Sequence, residues 1–175
     1  MYRKDLKIFI AHPKTGSTSV RDAIVDDGWE AFQGHHYIQD NKLRVVLQRD
    51  GQVYCTKRNM FQVMRSWWFT QAVLPSGERT GPWKDFDEFV FWACFKSDLT
   101  WFKTNLYHFG LPWATRVVPF EEAPEFYAKE FGLYQFPHRH KSPDFPHYRD
   151  MFSADSREYV EARYKQDLML TGYSY

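Results

Sequence analysis

The 175 residues carry 23 Lys and Arg against 22 Asp and Glu, a formal net charge of +1 that excludes both bulk attraction to nucleic acid and an acidic tail. The length suits one domain over 1–175 with a buried core, and no apolar run has membrane-spanning length or the form of a leader, so a cytoplasmic protein with no membrane partner is expected. Cys55 and Cys94 sit in apolar stretches and read as free thiols of a reducing compartment, too isolated for a zinc site.

The first segment runs directly into an apolar stretch, Ile8 to Ala11, of the kind expected for a strand buried on both faces. His12 and Pro13 break it, since proline cannot donate to a ladder. Lys14, Thr15, Gly16, Ser17, Thr18 and Ser19 follow: one cation, one glycine and four hydroxyls. Val20, Ala23 and Ile24 then recur at helical spacing, which predicts a helix over Ser17–Val25 with its stop at Asp26, Asp27 and Gly28. A strand, a polar loop and a helix start in that order can hold an anion on free backbone N–H groups and the helix dipole. The loop is not a Walker A sequence, because its lysine precedes the glycine. Taken alone, it reads equally as a capped helix start and as a phosphate cradle.

From Trp29 to Asn41 the pattern is irregular and includes His35 and His36, side chains that exchange protons near neutral pH. Leu43–Leu47 and Gln52–Thr56 are strand-like, with a hairpin signal at Asp50 and Gly51. A helix is expected over Phe61–Val73, and a loop over Leu74–Pro82 is the best candidate for a mobile segment. Asp85–Phe109 keeps the helical period, with a break near Ser97 and Asp98. Arg116–Phe120 is a short strand whose Pro119 implies an edge or a strand end. Pro124 opens a helix that Gly132 closes; the last helix starts near Ser153 or Asp155, with Glu158 placed for a capping box, and stops at Gly172. Val160, Tyr164 and Leu168 line one of its faces. Aromatics reach 19%, with seven tryptophans, and most are expected in the core.

This alternation predicts an α/β fold with a mainly parallel central sheet flanked by helices, whose ligands bind off the carboxyl ends of the strands. Arg58 closes the second strand-like run, and Ser66 lies early in the helix that follows. A guanidinium and a hydroxyl so spaced can converge on one oxyanion. Two anion-competent loops imply a ligand with two separated anionic groups.

The segment Pro13, Lys14, Thr15, Gly16, Ser17, Thr18 and Ser19 resembles the 5′-phosphosulfate loop of sulfotransferases that use 3′-phosphoadenosine 5′-phosphosulfate (PAPS). Arg58 and Asn59 with Arg65 and Ser66 resemble the same family's 3′-phosphate segment. Val117–Glu121 is similar to its late strand, Lys141 and Ser142 to the basic loop of its carbohydrate-type branch, and Tyr148–Tyr173 to that branch's C-terminal helix. The chain departs from the pattern at Met60, where the family has proline, and at His140, where asparagine is common.

The resemblance implies a P-loop-like sulfotransferase fold and in-line transfer of a sulfuryl group from PAPS to a hydroxyl or amine of a carbohydrate or other small acceptor, without a metal. It gives Lys14 the charge on the leaving oxygen and the residues from Pro13 to Ser19 the 5′-phosphate. Arg58 and Ser66 take the 3′-phosphate; Lys141 and Ser142 join the cofactor set, and His36, with His35 second, is the acceptor's base. The competing readings are a P-loop-like kinase or nucleotidase acting with ATP and a non-catalytic glycan- or nucleotide-binding domain.

Overall fold

The computed structural model describes residues 2–10, 12, 14–15, 17–31, 49, 51–71, 81–99, 102, 111–132 and 146–175. The chain divides into two compact units, Met1–Lys57 with Leu106–Lys141, and Arg58–Asn105 with Ser142–Tyr175.

The first unit is built on a five-stranded sheet. Strands β1 (Tyr2–Lys4), β2 (Lys7–Ile10), β3 (Glu30–Ala31), β4 (Gln52–Lys57) and β5 (Arg116–Pro119) lie in the order β3-β1-β2-β4-β5. The pairs β2–β4 and β4–β5 are parallel; β1 is antiparallel to both β2 and β3. The parallel half agrees with an α/β fold. The antiparallel half is a correction: β1 and β3 lie where the sequence offers no strand pattern, and both are too short to show one. Asp5 turns β1 into β2 at φ 51°, a left-handed conformation that aspartate tolerates better than most residues. Pro119 ends β5 at the edge of this sheet, as its missing N–H requires. The Leu43–Leu47 strand and the Asp50 turn lie outside the described residues.

Alternation along the strands gives the sheet two apolar faces. Phe9, Tyr54 and Val118 meet Val20 and Ile24 of α1 (Ser17–Asp26) and Tyr127 of the helix over Ala123–Phe131. Ile8, Ile10, Val53 and Cys55 face the other way, against Leu111. Helix α1 stops as its glycine predicts. Gly28, at φ 80°, donates to the Val25 carbonyl at 3.1 Å, and Trp29 donates to that of Ile24 at 3.1 Å. Trp29 then buries its ring in the same cluster as Ile24.

In the second unit α2 (Met60–Gln71) buries Phe61, Met64, Trp67 and Trp68. Helix α3 (Phe86–Phe91) is capped by Asp85, whose carboxylate accepts from Glu88 N–H at 3.0 Å. It widens into a π turn over Trp92–Lys96 and breaks at Ser97, where the backbone becomes extended. Trp67 packs on Phe102 with centroids 4.3 Å apart, and Phe89 sits among Trp68, Trp83 and Phe102. Among the described tryptophans, packing is thus the main role. The helix over Ala123–Phe131, in the first unit, is α4; Pro124 stands in its first turn and Gly132 closes it at φ 66°.

The last helical stretch is two helices, α5 (Ala154–Arg163) and α6 (Lys165–Thr171). The expected capping box at Asp155 is replaced by Ser153, whose side chain accepts from Ser156 N–H at 3.2 Å. Ser153 is still extended there, while Asp155 is already helical. The break comes at Tyr164, held fully buried by its hydroxyl donating to the Phe102 carbonyl at 3.0 Å. Leu168, expected on the Val160 and Tyr164 face, is therefore only half-buried. Gly172 closes α6 at φ 70°. No described helix is long and apolar enough to cross a membrane.

One ionic contact fixes α4 to the sheet. Tyr54 donates to Glu130 Oε1 at 2.6 Å, and Lys7 Nζ reaches the same oxygen at 3.3 Å. The Tyr54 hydrogen bond holds the Glu130 carboxyl below the usual carboxylate range; burial opposes it, and Lys7 and Arg116 reinforce it. A carboxylate with a depressed folded pKa stabilises the fold above its unfolded pKa, and that contribution is lost as pH falls through the folded value. Glu130→Gln should therefore lower stability at pH 7 and leave a smaller deficit at pH 3, read from urea unfolding at both pH values.

Candidate functional site

The loop after β2 starts from a buried anchor. His12 is fully buried, and its Nδ1 lies 3.0 Å from the Thr56 carbonyl oxygen. That oxygen only accepts, so Nδ1 carries the hydrogen and the tautomer is set. Thr56 is fixed in turn, its hydroxyl 3.0 Å from that of Tyr127 on α4. The register Ile10↔Cys55 brings the carboxyl ends of β2 and β4 side by side, and His12 fastens them there.

Beyond that anchor the chain turns sharply. Lys14 has φ 59°, a left-handed conformation that costs a residue with a Cβ about 1 kcal/mol. Thr15 closes the turn, its buried hydroxyl donating to the His12 carbonyl at 2.8 Å. This uses the one hydrogen of that hydroxyl, so Thr15 can offer an anion its backbone N–H but not its side-chain donor. Ser17, Thr18 and Ser19 then form the first turn of α1, where backbone N–H groups have no partner within the helix. That turn contains no acidic residue, so nothing on it opposes an anion. Ser19 is buried. Pro13 and Gly16 of this loop lie outside the described residues, as do His35, His36, Lys141 and Ser142.

In the second unit Asn59 caps α2. Its Oδ1 accepts from Phe61 N–H at 3.1 Å, the usual bond of an N-cap asparagine. Arg58 precedes it, with Nε donating to Gln62 Oε1 at 3.2 Å. Gln62 and Ser66 are four apart on α2 and share a face, so Arg58 is drawn toward the side of the helix that carries Ser66. Sequence reasoning paired Arg58 with Ser66 and missed Gln62, whose signal was its place midway between them. Arg65, next to Ser66, donates from Nε to the Pro146 carbonyl at 2.7 Å and lies over Phe69 at 5.6 Å. Burial pulls its guanidinium pKa down from the ordinary arginine value.

In comparisons with known proteins, no family model, no curated protein and no solved structure matches this chain. The chemistry must therefore be read from the residues themselves. They are donors: an ammonium, a guanidinium, hydroxyls and the N–H groups of a helix's first turn, a set that suits oxyanions. Among the described residues no group of three or more His, Cys, Asp or Glu is placed to hold a metal ion.

Covalent chemistry through sulfur does not fit the two cysteines. Burial pushes the Cys55 and Cys94 thiols up to about 12, and neither is disulfide-bonded. The thiolate is the reactive form, and at neutral pH almost none is present. Ellman's reagent at pH 8 should thus label neither cysteine of the native protein on the timescale at which it labels both after urea unfolding. Rapid native labelling of either one would contradict the burial that sets these values.

Proposed function

We propose that this protein is a PAPS-dependent sulfotransferase that passes a sulfuryl group to a hydroxyl or amine of a carbohydrate or other small acceptor and releases adenosine 3′,5′-bisphosphate (PAP). The observation that carries the proposal is the loop after β2. A buried strand leads to an anchored histidine, Lys14 turns in a left-handed conformation, and α1 follows with no acidic residue in its first turn. The motif resemblance supplies the ligand, and the donor set on each unit supports it. The P-loop-like sulfotransferase fold and the cytoplasmic location belong to the same proposal.

The chain's own groups would act as follows. The backbone N–H groups at the start of α1 hold the 5′-phosphate, where the positive end of the helix dipole favours negative charge. Lys14 places its ammonium at the oxygen bridging phosphorus and sulfur. As the acceptor oxygen or nitrogen bonds to sulfur, the bond from sulfur to that bridging oxygen breaks, and its electron pair stays on the oxygen as the charge Lys14 stabilises. Arg58 and Ser66 take the 3′-phosphate, with Gln62 holding the guanidinium. The acceptor's proton goes to a base, assigned to His36 with His35 second. Each charge-assisted hydrogen bond contributes about 1.5–3 kcal/mol, so a handful suffices for tight nucleotide binding.

Lys14 and Arg58 should fail in different ways. Lys14→Ala is expected to lower kcat with PAPS by about a hundredfold or more, in the range seen when one donor to a developing oxyanion is removed. Arg58→Ala should mainly weaken PAP binding, by about ten- to a hundredfold, the equivalent of one charge-assisted bond. Transfer of labelled sulfate and calorimetric titration with PAP measure the two effects. Wild-type turnover by Lys14→Ala would remove the mechanistic assignment.

A further inference from the structure

The residue next to Arg58 is tied to the far end of the sequence. Asn59 is buried, and while its Oδ1 caps α2, its Nδ2 donates to the Ser174 carbonyl at 2.9 Å, across 115 positions. Both halves of one amide are thus engaged, one starting a helix and the other holding the final residues. Tyr175 completes the fastening. Its ring meets the edge of Phe61 with centroids 5.0 Å apart and also packs on Tyr148 and Phe152. Arg157 lies over it at 5.0 Å and Arg149 at 6.0 Å, and its hydroxyl donates to the Arg149 carbonyl at 2.6 Å.

This arrangement joins the first turn of α2 to the last residues through a polar bond at Asn59 and an aromatic one at Phe61. Arg58 stands immediately before that turn, and its Nε donates to Gln62, also on α2. A guanidinium recognises phosphate through a planar set of donors, so a shift of the turn that carries it costs bonds at its far end. We propose that Asn59 and Tyr175 are positioning residues for Arg58, and that the last residues of the sequence set the protein's affinity for the 3′-phosphate of its nucleotide. The inference rests on the sulfotransferase reading above. It adds a control of affinity that neither residue exerts by touching the ligand.

The test compares PAP with adenosine 5′-monophosphate, which lacks the 3′-phosphate. Two variants release the fastening separately. Tyr175→Ala removes the ring, and Asn59→Ser keeps an N-cap oxygen while losing the reach to Ser174. Each is expected to bind PAP about tenfold more weakly than wild type, a loss of about 1.4 kcal/mol, with adenosine 5′-monophosphate affinity unchanged. The double variant should be no weaker than the weaker single variant, since both act on one connection. Tyr175→Phe, which keeps the ring, should stay within about threefold of wild type in the same titration. Far-ultraviolet circular dichroism confirms that α2 persists. Wild-type PAP affinity in both single variants, or equal losses for the two nucleotides, would overturn the proposal while leaving the sulfotransferase reading intact. If wild-type protein binds neither nucleotide, that reading fails and takes this inference with it.

Discussion

The first unit depends on the parallel pairing of β2 with β4. The register pairs Ile10, the last residue of β2, with Cys55 near the carboxyl end of β4, and the bond from His12 to the Thr56 carbonyl holds the two strands there. Parallel neighbours send their following loops to the same edge of a sheet, which is why open α/β sheets bind ligands at that edge. His12 has a further consequence. With its ring fully buried and its hydrogen assigned, the chain that leaves it has a fixed origin, and the turn through Lys14 and Thr15 is built on that origin.

The charge balance makes such a turn necessary for any anion site. At a formal net charge of +1 there is no general attraction to draw in an anionic ligand, so affinity has to come from a few aimed donors. In the proposed reading the loop after β2 supplies them. Thr15 spends its hydroxyl on closing the turn, and the first turn of α1 follows with backbone N–H groups that have no partner within the helix. In the second unit the proposed donors are a side-chain pair instead: Arg58 precedes α2 and bonds to Gln62, which shares a face of that helix with Ser66.

Local signals in the sequence translated well wherever one residue type decides the backbone. Gly28, Gly132 and Gly172 all take positive φ at helix ends, Pro119 ends an edge strand, and the long helical pattern breaks at Ser97. Strand β4 was legible as a strand from its β-branched and aromatic residues, but as half of a hairpin; its parallel pairings with β2 and β5 were not read from it. What stayed hidden depends on partners far along the chain. Strands β1 and β3 exist because Tyr2 pairs with both Phe9 and Ala31, and three residues are too few to show a period. The interruption at Tyr164 follows from its bond to the Phe102 carbonyl, and His12 looked like a simple strand breaker because its partner lies 44 positions away. The motif residues in the loop were legible as a set. That Thr15 turns its hydroxyl inward was not, since nothing in a Thr-Gly-Ser sequence says which hydroxyl faces the backbone.

Thermal unfolding of the purified protein, alone, with PAP and with ATP and magnesium, tests the central claim most directly. A ligand that binds only the folded state raises the melting temperature in proportion to the logarithm of its concentration over Kd. The sulfotransferase account predicts a concentration-dependent rise with PAP and none with ATP and magnesium; a rise with ATP and magnesium alone, or with glycans alone, would contradict it.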